Sequence, residues 1–187
     1  MPLHPFFLIH VLLWVMIAQC WPALAADENI SIIVDTKRQE LTVYADDHRI
    51  KTYTGVAIGR GGTSMMRHAG DGSTPLGSFR VAWINDDSPF HRFFGLNFPD
   101  RDTADRAYRD HLISRPQWRA IHAALAQGLP PPANTPLGGR IGIHGLGNAD
   151  PDIHARFNWT QGCIAVTNEQ IDDLAQWLLP GTPVEIR

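Results

Sequence analysis

Thr160-Gln161-Gly162-Cys163-Ile164-Ala165-Val166-Thr167-Asn168 passes from a polar loop into a short apolar strand and then into the start of a helix. Cys163 to Val166 is apolar and bounded by turn-forming residues, which predicts a short buried strand. Thr167 followed by Gln170 forms a capping box. It predicts a helix from Asn168 to about Leu178, with Ile171, Leu174 and Leu178 as its apolar stripe and Pro180-Gly181 as its stop. Ile30 to Val34, Glu40 to Ala45 and Arg49 to Ile58 are rich in β-branched and aromatic residues. Turn signals separate them, so they read as an antiparallel meander. Ser78 to Ile84, Arg140 to His144 and Thr182 to Ile186 are further short strands. A second helix is expected near Pro116, with Trp118, Ile121 and Leu125 on one face and Gly128 ending it, and a weaker one over Asp102 to Ile113. Leu129 to Gly139 is a Pro- and Gly-rich loop. The fold class is therefore mainly β with a few helices, an α+β arrangement.

The same stretch carries chemistry. A thiol nucleophile needs close substrate approach and backbone N–H groups aimed at the developing oxyanion, and Gly162 immediately before Cys163 allows both. Ile141-Gly142-Ile143-His144-Gly145 ends a strand in a histidine flanked by permissive backbone, so the imidazole can reach a loop it does not belong to. A neutral imidazole can take the proton of a nearby thiol. Gly70-Asp71-Gly72-Ser73-Thr74-Pro75-Leu76-Gly77-Ser78-Phe79 is a turn-dense run feeding a strand, in which Asp71 bonds its own backbone. A zinc set of His144, His154 and Cys163 lacks metal-ligand spacing, so no metal is expected. Trp159 reads as a packing residue near the thiol loop.

With 187 residues and 44% hydrophobic content, the chain can build one compact core. Sixteen basic side chains face 19 acidic ones without clustering, and the net charge of −3 excludes a basic nucleic-acid binder. The N-terminus is different material. No Asp, Glu, Lys or Arg precedes Asp27, and Phe6 to Ala18 is apolar except for His10. Residues 1–25 read as a secretory signal peptide, with Pro22 and the small residues Ala23 and Ala25 marking cleavage after Ala25; the alternative is an uncleaved anchor. Either way, residues 26–187 are expected to form a single exported domain outside the cytoplasm. Cys20 leaves with the signal, and Cys163 then has no disulfide partner.

His144, the 15 residues from 145 to 159, and then Thr160, Gln161, Gly162, Cys163 and Ile164 resemble the signature of the L,D-transpeptidase catalytic domain of bacterial cell-wall enzymes. The run from Gly70 to Phe79 is similar to that family's upstream Thr-Pro-x-Gly segment. The likeness is strongest from Thr160 to Asn168 and extends from about Ile30 to Ile186. It implies an L,D-transpeptidase-like β-sandwich with peripheral helices. It makes Cys163 the nucleophile, His144 the general base and the Gly145 carbonyl the group that orients the imidazole. The N–H groups around Gly162 and Cys163 would form the oxyanion hole. Thr160, Gln161, Trp159, Arg140 and Arg156 are the candidate substrate contacts, the two arginines for stem-peptide carboxylates. Gln161 stands where many members have His, and Ala165 where many have Arg or Asn.

The implied reaction is acyl transfer on peptidoglycan stem peptides at the bond between diaminopimelate and a D-amino acid, with no cofactor. The same pair serves a hydrolase, either a carboxypeptidase or endopeptidase or an enzyme that releases a peptidoglycan-linked lipoprotein. A catalytically idle wall-binding module is the third reading. The family's susceptibility to carbapenems implies that one would acylate Cys163.

Overall fold

The computed structural model describes residues 29–187, and the segment 1–25 read as a signal peptide or anchor lies outside the described residues. The meander is formed by β1 (Ile30–Asp35), β2 (Glu40–Ala45) and β3 (His48–Thr54), in antiparallel register with Ile32 opposite Val43 and Leu41 opposite Tyr53. The Asp35 carboxylate accepts from the Lys37 and Arg38 N–H groups and closes the first turn. The short β4 (Thr63–Ser64) and β5 (Thr74–Pro75) pair in parallel. There follow β6 (Gly77–Ser88), β7 (His91–Leu96), α1 (Arg101–Arg109), α2 (Arg115–Ala126), β8 (Gly142–His144), α3 (Pro151–Arg156), β9 (Ile164–Ala165), α4 (Asn168–Leu174) and β10 (Pro183–Ile186).

Eight strands run in the order β3-β2-β1-β10-β6-β7-β8-β9. The twelve-residue β6 joins two halves: its start pairs with β10 and the remainder with β7, with register breaks at Val81/Trp83 and Asn85/Ser88. The chain leaving β3 then meets the far end of the order, through bridges of Ala57 to Ala165 and Gly59 to Thr160. The two halves share one core. Ile32, Val34, Leu41, Val43, Val184 and Ile186 come from one, Phe94, Leu96, Ile143 and Ile164 from the other, and Ile171 and Leu174 of α4 complete it. A separate cluster of Ala104, Ala107, Ile113, Ile121 and Leu137 seats α1 and α2 at the periphery. The mainly β, sandwich-like α+β expectation agrees with this architecture.

Local departures have physical causes. Gly55, with φ of 73°, turns the chain after Thr54, so β3 ends there and not at Ile58. The capping box of Thr167 and Gln170 forms as expected. The helix stops at Leu174, however, because the Thr182 hydroxyl donates to the Trp177 carbonyl and accepts from the Leu179 N–H, tightening the chain toward β10. In α2 Ser114 and Gln117 make a second capping box, with Pro116 in the first turn. The weaker helix is shorter than expected, since Asp110 caps it and His111, with φ of 57°, turns the chain away. The strand β7 and the helix α3 have no counterpart in the sequence reading. No helix among the described residues is long and apolar enough to cross a membrane.

Candidate active site

β8 and β9 lie side by side in parallel, with Ile143 opposite Ile164 and His144 opposite Ala165. Alternation along a strand sends the buried Ile143 and Ile164 to the core, and it sends His144 and the residue before Ile164, Cys163, to the opposite face. That register puts Cys163 beside Gly142. A Cβ on Gly142 would lie 2.5 Å from the Phe93 ring and 2.6 Å from the Phe94 carbonyl, so only glycine fits beside the thiol. Across β7, Phe93 stands opposite His144 and stacks on it at 5.7 Å, and Trp83 stacks on Phe93 at 4.9 Å. Phe90 covers the imidazole from 4.4 Å and Trp159 meets it edge-on at 6.0 Å. The result is an aromatic shelf in a cleft of about 550 Å³ that contains both His144 and the partly exposed Cys163.

His144 Nδ1 lies 2.6 Å from the Gly145 carbonyl oxygen. A carbonyl can only accept, so Nδ1 carries the proton and Nε2 keeps its lone pair. Gly145 is confined in turn: a Cβ there would lie 2.7 Å from Asn168 Oδ1 and 2.9 Å from Ile171. Asn168 accepts from the Gly147 N–H at 2.9 Å and donates to the Gly147 carbonyl at 3.1 Å, tying the loop after His144 to the start of α4. Burial lowers the His144 pKa to about 4, although the Gly145 bond opposes this and His154 adds to it. Burial also raises the Cys163 thiol to about 11, against a backbone hydrogen bond from Gly142 and the charge of Arg67. The resting pair is therefore a neutral imidazole and a protonated thiol, whose Sγ is 3.5 Å from the Arg140 carbonyl.

The thiol loop is held from beneath. The buried Thr160 hydroxyl donates to the Cys163 carbonyl at 2.6 Å and accepts from the Gly162 N–H at 3.1 Å, so it is committed to the loop. Gly162 has φ of 121°, and a Cβ there would lie 2.5 Å from the Ser73 carbonyl. Ser73 belongs to the Gly70–Phe79 run, where Asp71 accepts from the His68 N–H and from both the N–H and hydroxyl of Ser73. Burial opposes ionisation of Asp71, yet these bonds hold its pKa below the ordinary value. That run is thus the backbone floor under Gly162.

The exposed Gln161 and Arg140 border the cleft, and Arg140 holds φ of 56°. Trp159 donates to His154 Nδ1 at 3.2 Å. Arg156 is exposed on α3 and is not among the residues lining the cleft. Phe90, Phe93, Asn168 and Arg67 were not singled out as site residues from the sequence, Asn168 standing there only at the end of the Thr160–Asn168 stretch and as the first residue of a helix. Arg67, buried and 3.4 Å from the Gln161 carbonyl, comes from a loop with no periodic signal.

The YkuD family model, the L,D-transpeptidase catalytic domain, matches residues 29–186. No curated protein matches the sequence. Among solved structures, the helical cell shape determining protein Pgp2 from Campylobacter jejuni is 18% identical. Its TM-score is 0.58, with 87% of this chain and 48% of that one covered. Bd1075 from Bdellovibrio bacteriovorus is 19% identical, with a TM-score of 0.55 and coverage of 86% and 48%. The chain thus spans about half the length of these two structures, and at such identity they share its fold. Its match to the family model over nearly all the described residues places this chain in the L,D-transpeptidase catalytic domain family.

Proposed function

We propose that the protein is a cysteine L,D-transpeptidase that acts on peptidoglycan stem peptides at the bond between diaminopimelate and a D-amino acid. The observation that carries this reading is the Nδ1–H bond from His144 to the Gly145 carbonyl, which leaves Nε2 basic on the same strand face as Cys163. His144 Nε2 takes the thiol proton as Sγ attacks the scissile carbonyl. The C–N bond of the tetrahedral intermediate then breaks, the imidazolium returns its proton to the leaving nitrogen, and a thioester remains on Cys163. An acceptor amine, deprotonated by His144, attacks the thioester and forms the new amide while the thiol is regenerated.

The oxyanion needs donors. Because the Gly162 N–H is engaged by Thr160, Gly162 serves through its backbone conformation, and the Cys163 N–H, without a hydrogen bond among the described residues, is the donor available. The aromatic shelf of Phe90, Phe93 and Trp159 keeps the imidazole neutral and excludes water from it. Gln161, Arg140 and Trp159 contact the substrate at the rim. The stem peptide lies outside the cytoplasm, which agrees with residues 1–25 as an export signal.

Mass analysis of products from purified muropeptides tests the proposal. New cross-linked dimers that require Cys163 are expected. Trimmed monomers, or lipoprotein released from lipoprotein-linked muropeptides, would identify water as the acceptor. Unchanged substrate, bound equally by wild type and Cys163→Ala, would make the chain a wall-binding module.

A further inference from the structure

A second hollow, of about 670 Å³, adjoins the cleft, and the mechanism above does not use it. Arg67, only 4% exposed, borders it together with Gly70, Asn134, Gly138, Arg140 and Gln161, and no carboxylate is among its lining residues. The Arg67 charge is poorly matched. Its Nε is buried without a hydrogen-bond partner among the described residues. The Asp71 carboxylate is 3.9 Å away and already accepts from His68 and Ser73. Nη2 makes one long bond of 3.4 Å to the Gln161 carbonyl, and the guanidinium lies over the Phe98 ring at 5.6 Å.

A buried guanidinium offers five donors in a planar fork suited to a carboxylate, and most of those donors are idle here. A Cβ on Gly138, whose φ is 73°, would sit 3.6 Å from Arg67 Nη1, an ordinary contact distance, so the wall of the hollow at Gly138 lies against the guanidinium. Arg140 and Gln161 form the wall between this hollow and the cleft that holds Cys163.

We propose that the hollow is a subsite for a free carboxylate of the substrate, gripped by Arg67 with Arg140, while the scissile carbonyl reaches Cys163 on the other side of Gln161. The inference rests on the stem-peptide reading given above. Of the free carboxylates on a tetrapeptide containing diaminopimelate, two flank the scissile bond: the terminal carboxylate of the leaving D-residue and the free carboxylate on the diaminopimelate side chain. Both present the same chemistry to Arg67.

The test compares kcat/KM of the full chain on three peptides: the tetrapeptide, its C-terminal amide, and its diaminopimelate side-chain amide. Wild type, Arg67→Gln and Arg67→Lys are each measured on all three. Wild type is expected to lose roughly 10- to 100-fold on one of the two amides, the size of a charge-assisted contact. That amide identifies the carboxylate. Arg67→Gln is expected to be slow on the acid and to lose nothing further on the matching amide, with Arg67→Lys intermediate. Each ratio is taken within one variant, so it does not depend on the fraction folded, and Arg67→Lys decides if Arg67→Gln does not fold. A wild type indifferent to both amidations, or variants with the wild-type ratios, overturns the subsite. A wild type that turns over none of the three defeats the stem-peptide reading, and the subsite falls with it.

Discussion

The His144 imidazole is 2% exposed and pays for its place in the shelf by giving up its charge. Its pKa falls from 6.5 to about 4, so the unfolded chain binds the proton more readily than the folded one. The resulting stability is fully present above pH 6.5 and is lost as pH falls toward 4, by about 3 kcal/mol in all. Urea unfolding between pH 7 and pH 4 should show this loss, and His144→Asn should flatten it. The thiol shifts the other way. With the Cys163 pKa near 11, alkylation by iodoacetamide should keep rising through pH 7 to 10, and a plateau near pH 6 would indicate a resting ion pair instead. His144 and Cys163 could be singled out from the sequence because the roles expected of them call for particular residue types next to glycine. Arg67 could not. Its partner is the Gln161 carbonyl, 94 positions away, and nothing in the loop around Arg67 marks the contact.

The elements that place these groups were legible where local chemistry forms them. The capping box of Thr167 and Gln170 is written in a three-residue spacing and was read from it, whereas the equally spaced box of Ser114 and Gln117 was not, and Thr167→Ala should cost about 1 kcal/mol in chemical denaturation. β7 escaped because Gly95 and its flanking residues break the alternation. That glycine is there for packing, since a Cβ at Gly95 would collide with the Trp83 indole. The end of α4 escaped because a hydroxyl from Thr182 sets it. Gly142 on β8 is the most crowded position beside the thiol. Gly142→Ala forces a methyl group against the Phe93 ring and Phe94 carbonyl and should destabilise by roughly 1–3 kcal/mol, with slower acylation of Cys163 as the ring row shifts. Wild-type stability in that variant would mean that the crowding beside the thiol is absent.

The whole molecule is held by contacts distant in sequence. β10 is the last strand in the chain but lies between β1 and β6, with Val184 and Ile186 each 1% exposed. Deleting residues 183–187 should therefore abolish cooperative unfolding by circular dichroism, because the two halves of the sheet lose the strand joining them. Pairings of Ala57 with Ala165 and Gly59 with Thr160 bring the opposite ends of the strand order together under the thiol loop. Such closure is invisible to periodicity, which reports only each strand's own buried face. The fold thus delivers Cys163 to a cleft beside His144. The most direct measurement is the intact mass of the chain after incubation with a carbapenem. One covalent adduct on wild type, absent from Cys163→Ala, is expected. A folded wild type that stays unmodified, or an adduct that persists in the variant, would contradict an acyl-enzyme at Cys163.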